Sequence, residues 1–206
     1  MTVDNLESAE VVTAAGDSLH TSRTEHPDLF WALQGGGGNF GVVSSFEFRL
    51  HPVGPDVLSG LIVYPLSAAK SVLQQYREFV RNSPEELTVW TILRHASPLP
   101  FLPAEVHGKP IIALALMYLG DPKKGESLIE PLRKFGKALG EHIGVQPYVA
   151  WQQAFDPLLT AGARNYWKSH NFSTLQDELF LLPSAVQPPG RRQTPRPIPI
   201  GTLNTS

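Results

Sequence analysis

Residues 34–43 read QGGGGNFGVV. Four consecutive glycines lead through an asparagine and a phenylalanine to a fifth, Gly41. Gly36, Gly38 and Gly41 spell G-x-G-x-x-G, the spacing of a dinucleotide-binding turn. That turn needs a strand before it and a helix after it, so that the helix N-terminus faces a pyrophosphate. Here the order is reversed. His26-Pro27-Asp28 opens a helix, with proline in the first turn and an acid at the positive end. Its body is DLFWAL, with Leu29, Trp31, Ala32 and Leu33 available for burial, and the glycines from Gly35 end it. Residues 40–50, FGVVSSFEFRL, then alternate. Val42, Ser44, Phe46, Phe48 and Leu50 share one face; Val43, Ser45, Glu47 and Arg49 share the other. That is the pattern of a half-buried strand with its aromatic residues on the core face. The Rossmann reading is rejected despite the spacing. A Walker loop fails too, because no Gly-Lys-Ser/Thr follows.

Two readings of the loop remain on chemistry alone. One is a helix-to-strand joint, since glycine commonly ends helices. One glycine would serve that purpose. A run of four costs folding entropy. The other reading is a loop whose backbone comes close to a ligand, with successive amide N–H groups forming a nest for an anion such as phosphate.

The whole chain sets the limits. Its 206 residues suit one large or two small domains. A net charge of −2 gives no electrostatic case for nucleic acid. With no cysteine, disulfides, thiolate catalysis and sulfur-tethered cofactors are excluded within the chain. The histidines are scattered and no two stand at i, i+4, so no metal site is expected. No apolar run approaches the ~20 residues of a membrane span. The N-terminus has no basic or long apolar region of a secretory signal, so a cytoplasmic location is the default expectation.

Beyond the loop the chain has a regular rhythm. Residues 10–14, EVVTA, and the turn after them suggest a hairpin. HPVGPD at 51–56 reads as a boundary. Strands are expected at 57–64, 87–95, 110–118 and 145–149, with helices at 66–82 and 122–139. The order βαββαβ is that of a ferredoxin-like layer, an antiparallel sheet with helices on one face, within an α+β chain. A helical turn is expected at 151–155 and a further strand at 165–172. Residues 183–199 are rich in proline and without apolar periodicity. That composition suits a disordered terminus, or a departure from the natural reading frame.

Four stretches carry a resemblance. VDNLESAEVVTAAG, HPDLFWALQGGGGNFGVVSSFEFRLHPVGP, YVAWQQAFD and NYWKS, in this order, resemble FAD-linked oxidases of the berberine-bridge-enzyme type. These belong to the vanillyl-alcohol-oxidase/PCMH flavoprotein group. The block DLFWALQGGGGNFGVVSSFEF is highly specific. The resemblance implies that residues 1–52 are the C-terminal part of a PCMH-type FAD-binding domain, and residues 53–180 part of a substrate-binding domain. Residues 181–206 are then a proline-rich tail. It implies FAD as cofactor, lined by Gly35, Gly36, Gly37, Gly38, Asn39, Phe40, Gly41, Val42 and Val43. The family's upstream segment, with its flavin-bonding histidine and often a cysteine, is not matched, nor is its C-terminal segment. The chain therefore resembles an internal part of such an oxidase.

For a complete protein the resemblance implies transfer of hydride from a small alcohol or amine to the flavin, with molecular oxygen as electron acceptor. No nucleic acid or membrane partner is expected. Tyr166 and Lys168 alternate with Trp167 and so share one face of the expected strand. They are the candidates for the substrate pocket, as hydrogen-bond donor and as holder of an anionic oxygen. Each also reads as an ordinary half-solvated side chain, and no catalytic residue is named. The competing reading is a non-catalytic ferredoxin-like binding module, its glycine loop only a joint.

Overall fold

Leu6–Val12 (β1) and Ser18–Ser22 (β2) form an antiparallel hairpin. In its turn the Thr13 N–H donates to the Asp17 carbonyl, at 2.9 Å. His20 and Glu10 clasp the pair at 2.7 Å, and that carboxylate raises the histidine's pKa. Leu6, Ala9 and Val11 are buried along β1. In this computed structural model, residues 2–156, 162, 169, 172 and 174–180 are described. The chain divides at Pro52 and Val53 into two compact units.

The first unit continues with Pro27–Leu33 (α1) and Val42–Phe48 (β3), giving the antiparallel order β2-β1-β3. α1 packs on β2. Its inward residue is Phe30, whereas Trp31 is 78% exposed. Successive helical residues are about 100° apart, so a two-turn helix that buries Phe30 must turn Trp31 outward. The expected burial of Trp31 is thus corrected; Leu29, Ala32 and Leu33 are half-buried. The expected core face of β3 is corrected too. Val42 is 71% exposed and Phe46 54%. β3 is an edge strand, and the described residues do not cover that row.

The second unit is a four-stranded sheet. Asp56–Pro65 (β4), Ala69–Val80 (α2), Leu87–His95 (β5), Pro110–Tyr118 (β6), Pro122–Ile129 (α3), Gly140–Pro147 (β7) and Tyr148–Gln153 (α4) follow in that order. The sheet order is β5-β6-β4-β7 and every neighbouring pair is antiparallel. On one face Leu58, Ile62 and Tyr64 of β4 join Ile112, Leu114 and Leu116 of β6. Against them pack Ala69, Val72, Leu73 and Tyr76 of α2, an i, i+3, i+4, i+7 stripe, and Ile129 of α3. Residues 174–180 return to α2. There Arg77 donates to the Leu175 carbonyl at 3.0 Å and to Asp177 at 2.6 Å, over the Phe180 ring.

The helix expected over 122–139 is shorter. Asp121 caps it, accepting from the Lys123 N–H at 2.8 Å. Pro131 has no N–H to continue the ladder, and residues 130–134 tighten into a 3-10 turn. That releases the chain early enough for β7 to begin at Gly140 rather than at 145. No described helix is long and apolar enough to cross a membrane.

Two tyrosines tie the layers. Tyr64 donates its hydroxyl to the Leu132 carbonyl, and Tyr76 to the Val89 carbonyl at 2.8 Å. Burial pushes both phenols up to about 12; for Tyr64 the Glu141 charge adds to it. The fold favours the neutral form. Its contribution is complete below the ordinary phenol value near 10 and is lost as pH rises from there through about 12. Circular dichroism should therefore show unfolding in that window, with part of the tyrosinate absorbance appearing only as structure is lost. Tyr76→Phe should make the alkaline loss shallower. It should also cost roughly 1 kcal/mol at neutral pH through the lost hydrogen bond, read by urea denaturation.

Candidate functional site

The glycine loop is built by its own chain contacts. The Gly36 N–H donates to the Ala32 carbonyl at 2.8 Å, closing α1. Asn39 Nδ2 donates back to the Gly36 carbonyl at 2.8 Å. The Phe40 ring lies where a Gly36 side chain would stand. Gly37 has φ 69° and opens a 3-10 turn, Gly37–Asn39. Gly41 has φ 142°, and a Cβ there would strike the Val12 carbonyl. Val42 and Val43 then pair with Val12 and Val11. The fold itself thus demands most of these glycines. Gly38 is different: its φ is −81° and no described atom lies within 4 Å of its Cβ position. Among the described residues, the N–H groups of Gly35, Gly37 and Gly38 meet no hydrogen-bond acceptor. Open space beside free amide donors is the arrangement an anionic or polar ligand group needs. Of the expected residues 35–43, Gly35 and Gly37–Phe40 are exposed, and Val42 and Val43 face opposite sides of β3.

In the second unit the sheet face opposite α2 and α3 carries chemistry. Its row across the strands is Trp90, Ala115, Leu61 and His142. The next row is Thr88, Met117, Ser59 and Gly144. The segment 96–109 covers one end, where Leu102 and Val106 pack on Val63, Ile111 and Ala113. α4 covers the other, with Trp151 on Val57 and Ala115. Phe155 meets Trp90 at 5.7 Å and Trp151 at 5.1 Å, between ring centroids. Phe101 stacks on His142 at 5.6 Å. Gln146 Nε2 donates to the buried Ser59 Oγ at 2.8 Å. The face is thus a floor of small and apolar residues between aromatic walls, with polar groups along β7.

Tyr166 and Lys168 lie outside the described residues. His142, Gln146, Ser59 and Trp90 were not singled out by sequence. For His142 and Gln146 the signal was the even-numbered alternation of β7, hidden in the polar, glycine-containing string GEHIGVQP.

Comparison with known proteins decides the kinship. The chain is 36% identical over 135 residues to the FAD-linked oxidoreductase tazG of Aspergillus terreus, covering 63% of this chain and 25% of the relative. The chain is homologous to FAD-linked oxidoreductases. It shares the fold of a Physcomitrella patens BBE-like protein at a TM-score of 0.58. Among solved structures, a xylooligosaccharide oxidase from Myceliophthora thermophila in complex with xylobiose superposes with a TM-score of 0.57 at 30% identity. That match covers 78% of this chain and 32% of the oxidase. The 6-hydroxy-D-nicotine oxidase of Arthrobacter nicotinovorans gives 0.60 at 25% identity, over 78% of this chain and 34% of that one. The chain spans about a quarter to a third of the length of these relatives. No protein-family model matches it.

The loop geometry separates glycines that the fold requires from one that it does not. Gly41→Ala should destabilise the chain by about 1–3 kcal/mol, because its Cβ has no room. Gly38→Ala should change stability by less than about 0.5 kcal/mol. Urea denaturation of the two variants checks both values.

Proposed function

We propose that the protein is an FAD-dependent oxidoreductase that passes hydride from a small organic alcohol or amine to the flavin, with molecular oxygen as the acceptor. The carrying observation is Gly38. It is open and conformationally unconstrained, beside free amide donors, in a block shared with relatives named as FAD-linked. On this reading the first unit is the C-terminal part of a PCMH-type FAD-binding domain. The second is a ferredoxin-like substrate layer, a reading supported by its βαββαβ chain order and antiparallel sheet.

FAD, when bound, supplies hydride acceptance and return of electrons to oxygen. The chain's own share is holding and orienting. Gly35 to Val43 would hold the cofactor, with the N–H groups of Gly35, Gly37 and Gly38 as donors. The Asn39 side chain fixes the loop through its bond to Gly36. The aromatic walls of the sheet face, Trp90, Trp151 and Phe101, would keep water from a bound substrate ring. Tyr166 and Lys168 remain proposed pocket residues on the family resemblance. A non-catalytic binding module is not favoured, because the matched relatives are named as oxidoreductases and oxidases.

Flavin content tests the proposal. The purified chain, incubated with FAD and desalted, should retain visible flavin absorbance. Gly38→Val should weaken FAD binding at least tenfold in a fluorescence-quenching titration, with unchanged circular dichroism. A folded wild-type chain that takes up no FAD would overturn it.

A further inference from the structure

Between α2 and the 3-10 turn at 130–134 lies an open cleft of about 500 Å³. Its walls are the rings of Phe79 and Phe135, edge to face at 6.1 Å between centroids, and the exposed Pro131. Two glutamines stand on the rim and both are held in place. Gln75 Nε2 donates to the Phe135 carbonyl at 2.9 Å, and Gln74 Nε2 to Asp177 at 3.3 Å. A carboxamide nitrogen carries two hydrogens, so Gln74 keeps one to give. A groove with aromatic walls and a side-chain donor suits an extended proline-rich segment. Prolines bring carbonyl acceptors and no N–H donors.

The chain carries such a segment, and its attachment point is beside the cleft. Phe180 is 3% exposed and packs under Arg77, whose guanidinium is 5.3 Å from the ring centroid. Arg77 itself lines the cleft. Residues 181–206 follow; they contain three arginines, no acid and the run Pro195-Arg196-Pro197-Ile198-Pro199-Ile200. In a polyproline II helix three residues make one turn. Pro195 and Ile198 then share one edge, Pro197 and Ile200 the next, and Arg196 and Pro199 the third. Two neighbouring edges are apolar and the third carries the charge. A run of this length in that form is about 19 Å long. The chain between Phe180 and Pro195 can extend over about 50 Å, so the run reaches the cleft with slack. Tethering holds its local concentration at about millimolar, so a weak contact is enough to fill the cleft.

We propose that residues 195–200 dock in the cleft between α2 and the 130–134 turn, with their apolar edges against Phe79, Pro131 and Phe135. Gln74 Nε2 donates to a backbone carbonyl of the run, and Arg196 stays on the solvent side. The occupant is the chain's own C-terminal segment rather than a second copy. The contact adds a strap to the helical layer of the second unit and does not depend on flavin binding.

The chain has no cysteine, so an introduced one carries a nitroxide label at a single place. Thr202→Cys, labelled in the full chain, should broaden the amide NMR signals of Gln74, Phe79 and Gly136 at least threefold more than that of Val106, which packs on the opposite sheet face. Ile198→Asp alters the occupant alone and should bring the cleft signals down to the level of Val106. Pro131→Glu, at an exposed position of the cleft, should do the same with unchanged circular dichroism. Tenfold dilution should leave the broadening as it is. Labelled chain without nitrogen-15, mixed with unlabelled nitrogen-15 chain, should produce none. Broadening in the mixed sample assigns the cleft to a second copy and overturns the proposal. Broadening that survives Ile198→Asp, or none at the cleft in the labelled chain, overturns it as well.

Discussion

The pairing of β4 with β6 is the contact on which the second unit depends. Both strands are hydrogen-bonded on both sides and almost wholly buried. A strand buried on both faces must be apolar throughout, and LIVY in β4 and IIALALMY in β6 meet that demand. The two faces are then free to do different work. Large side chains at Leu58, Ile62, Tyr64, Leu114 and Leu116 fill the gap to the helices. The opposite face holds smaller ones, Ser59, Ala113 and Ala115, buried beneath Gln146, the 96–109 segment and α4.

How much of this was legible follows from which force shaped each element. β4, β5, β6 and α2 read clearly because burial sets their patterns, and burial is written directly in apolar spacing. β7 did not. It is an edge strand, more exposed than β4 or β6, and its glycines and proline have low strand propensity. Its place is set by hydrogen bonds to β4, a tertiary cause with no local signature. Trp31 misled for a related reason. Helical period tells which residues share a face but not which face turns inward, and Phe30 took that place.

The glycine loop shows the same division inside ten residues. Its sequence matched a nucleotide-binding pattern that the order of helix and strand contradicted. In the folded chain each required glycine has its own reason: φ for Gly37, contact with Phe40 for Gly36, and φ together with contact with Val12 for Gly41. None of these reasons was visible in the string GGGG, where every glycine looks alike. Kinship was visible, because the block is specific as a whole even where its individual glycines are not.

Glycines without an internal reason therefore carry more functional information than those that satisfy a motif. A glycine forced by φ or by a crowded neighbour would be retained in any protein with the same backbone, whatever it binds. Gly38 is not forced, yet it costs the chain conformational entropy. It also stands beside amide donors that meet no acceptor among the described residues.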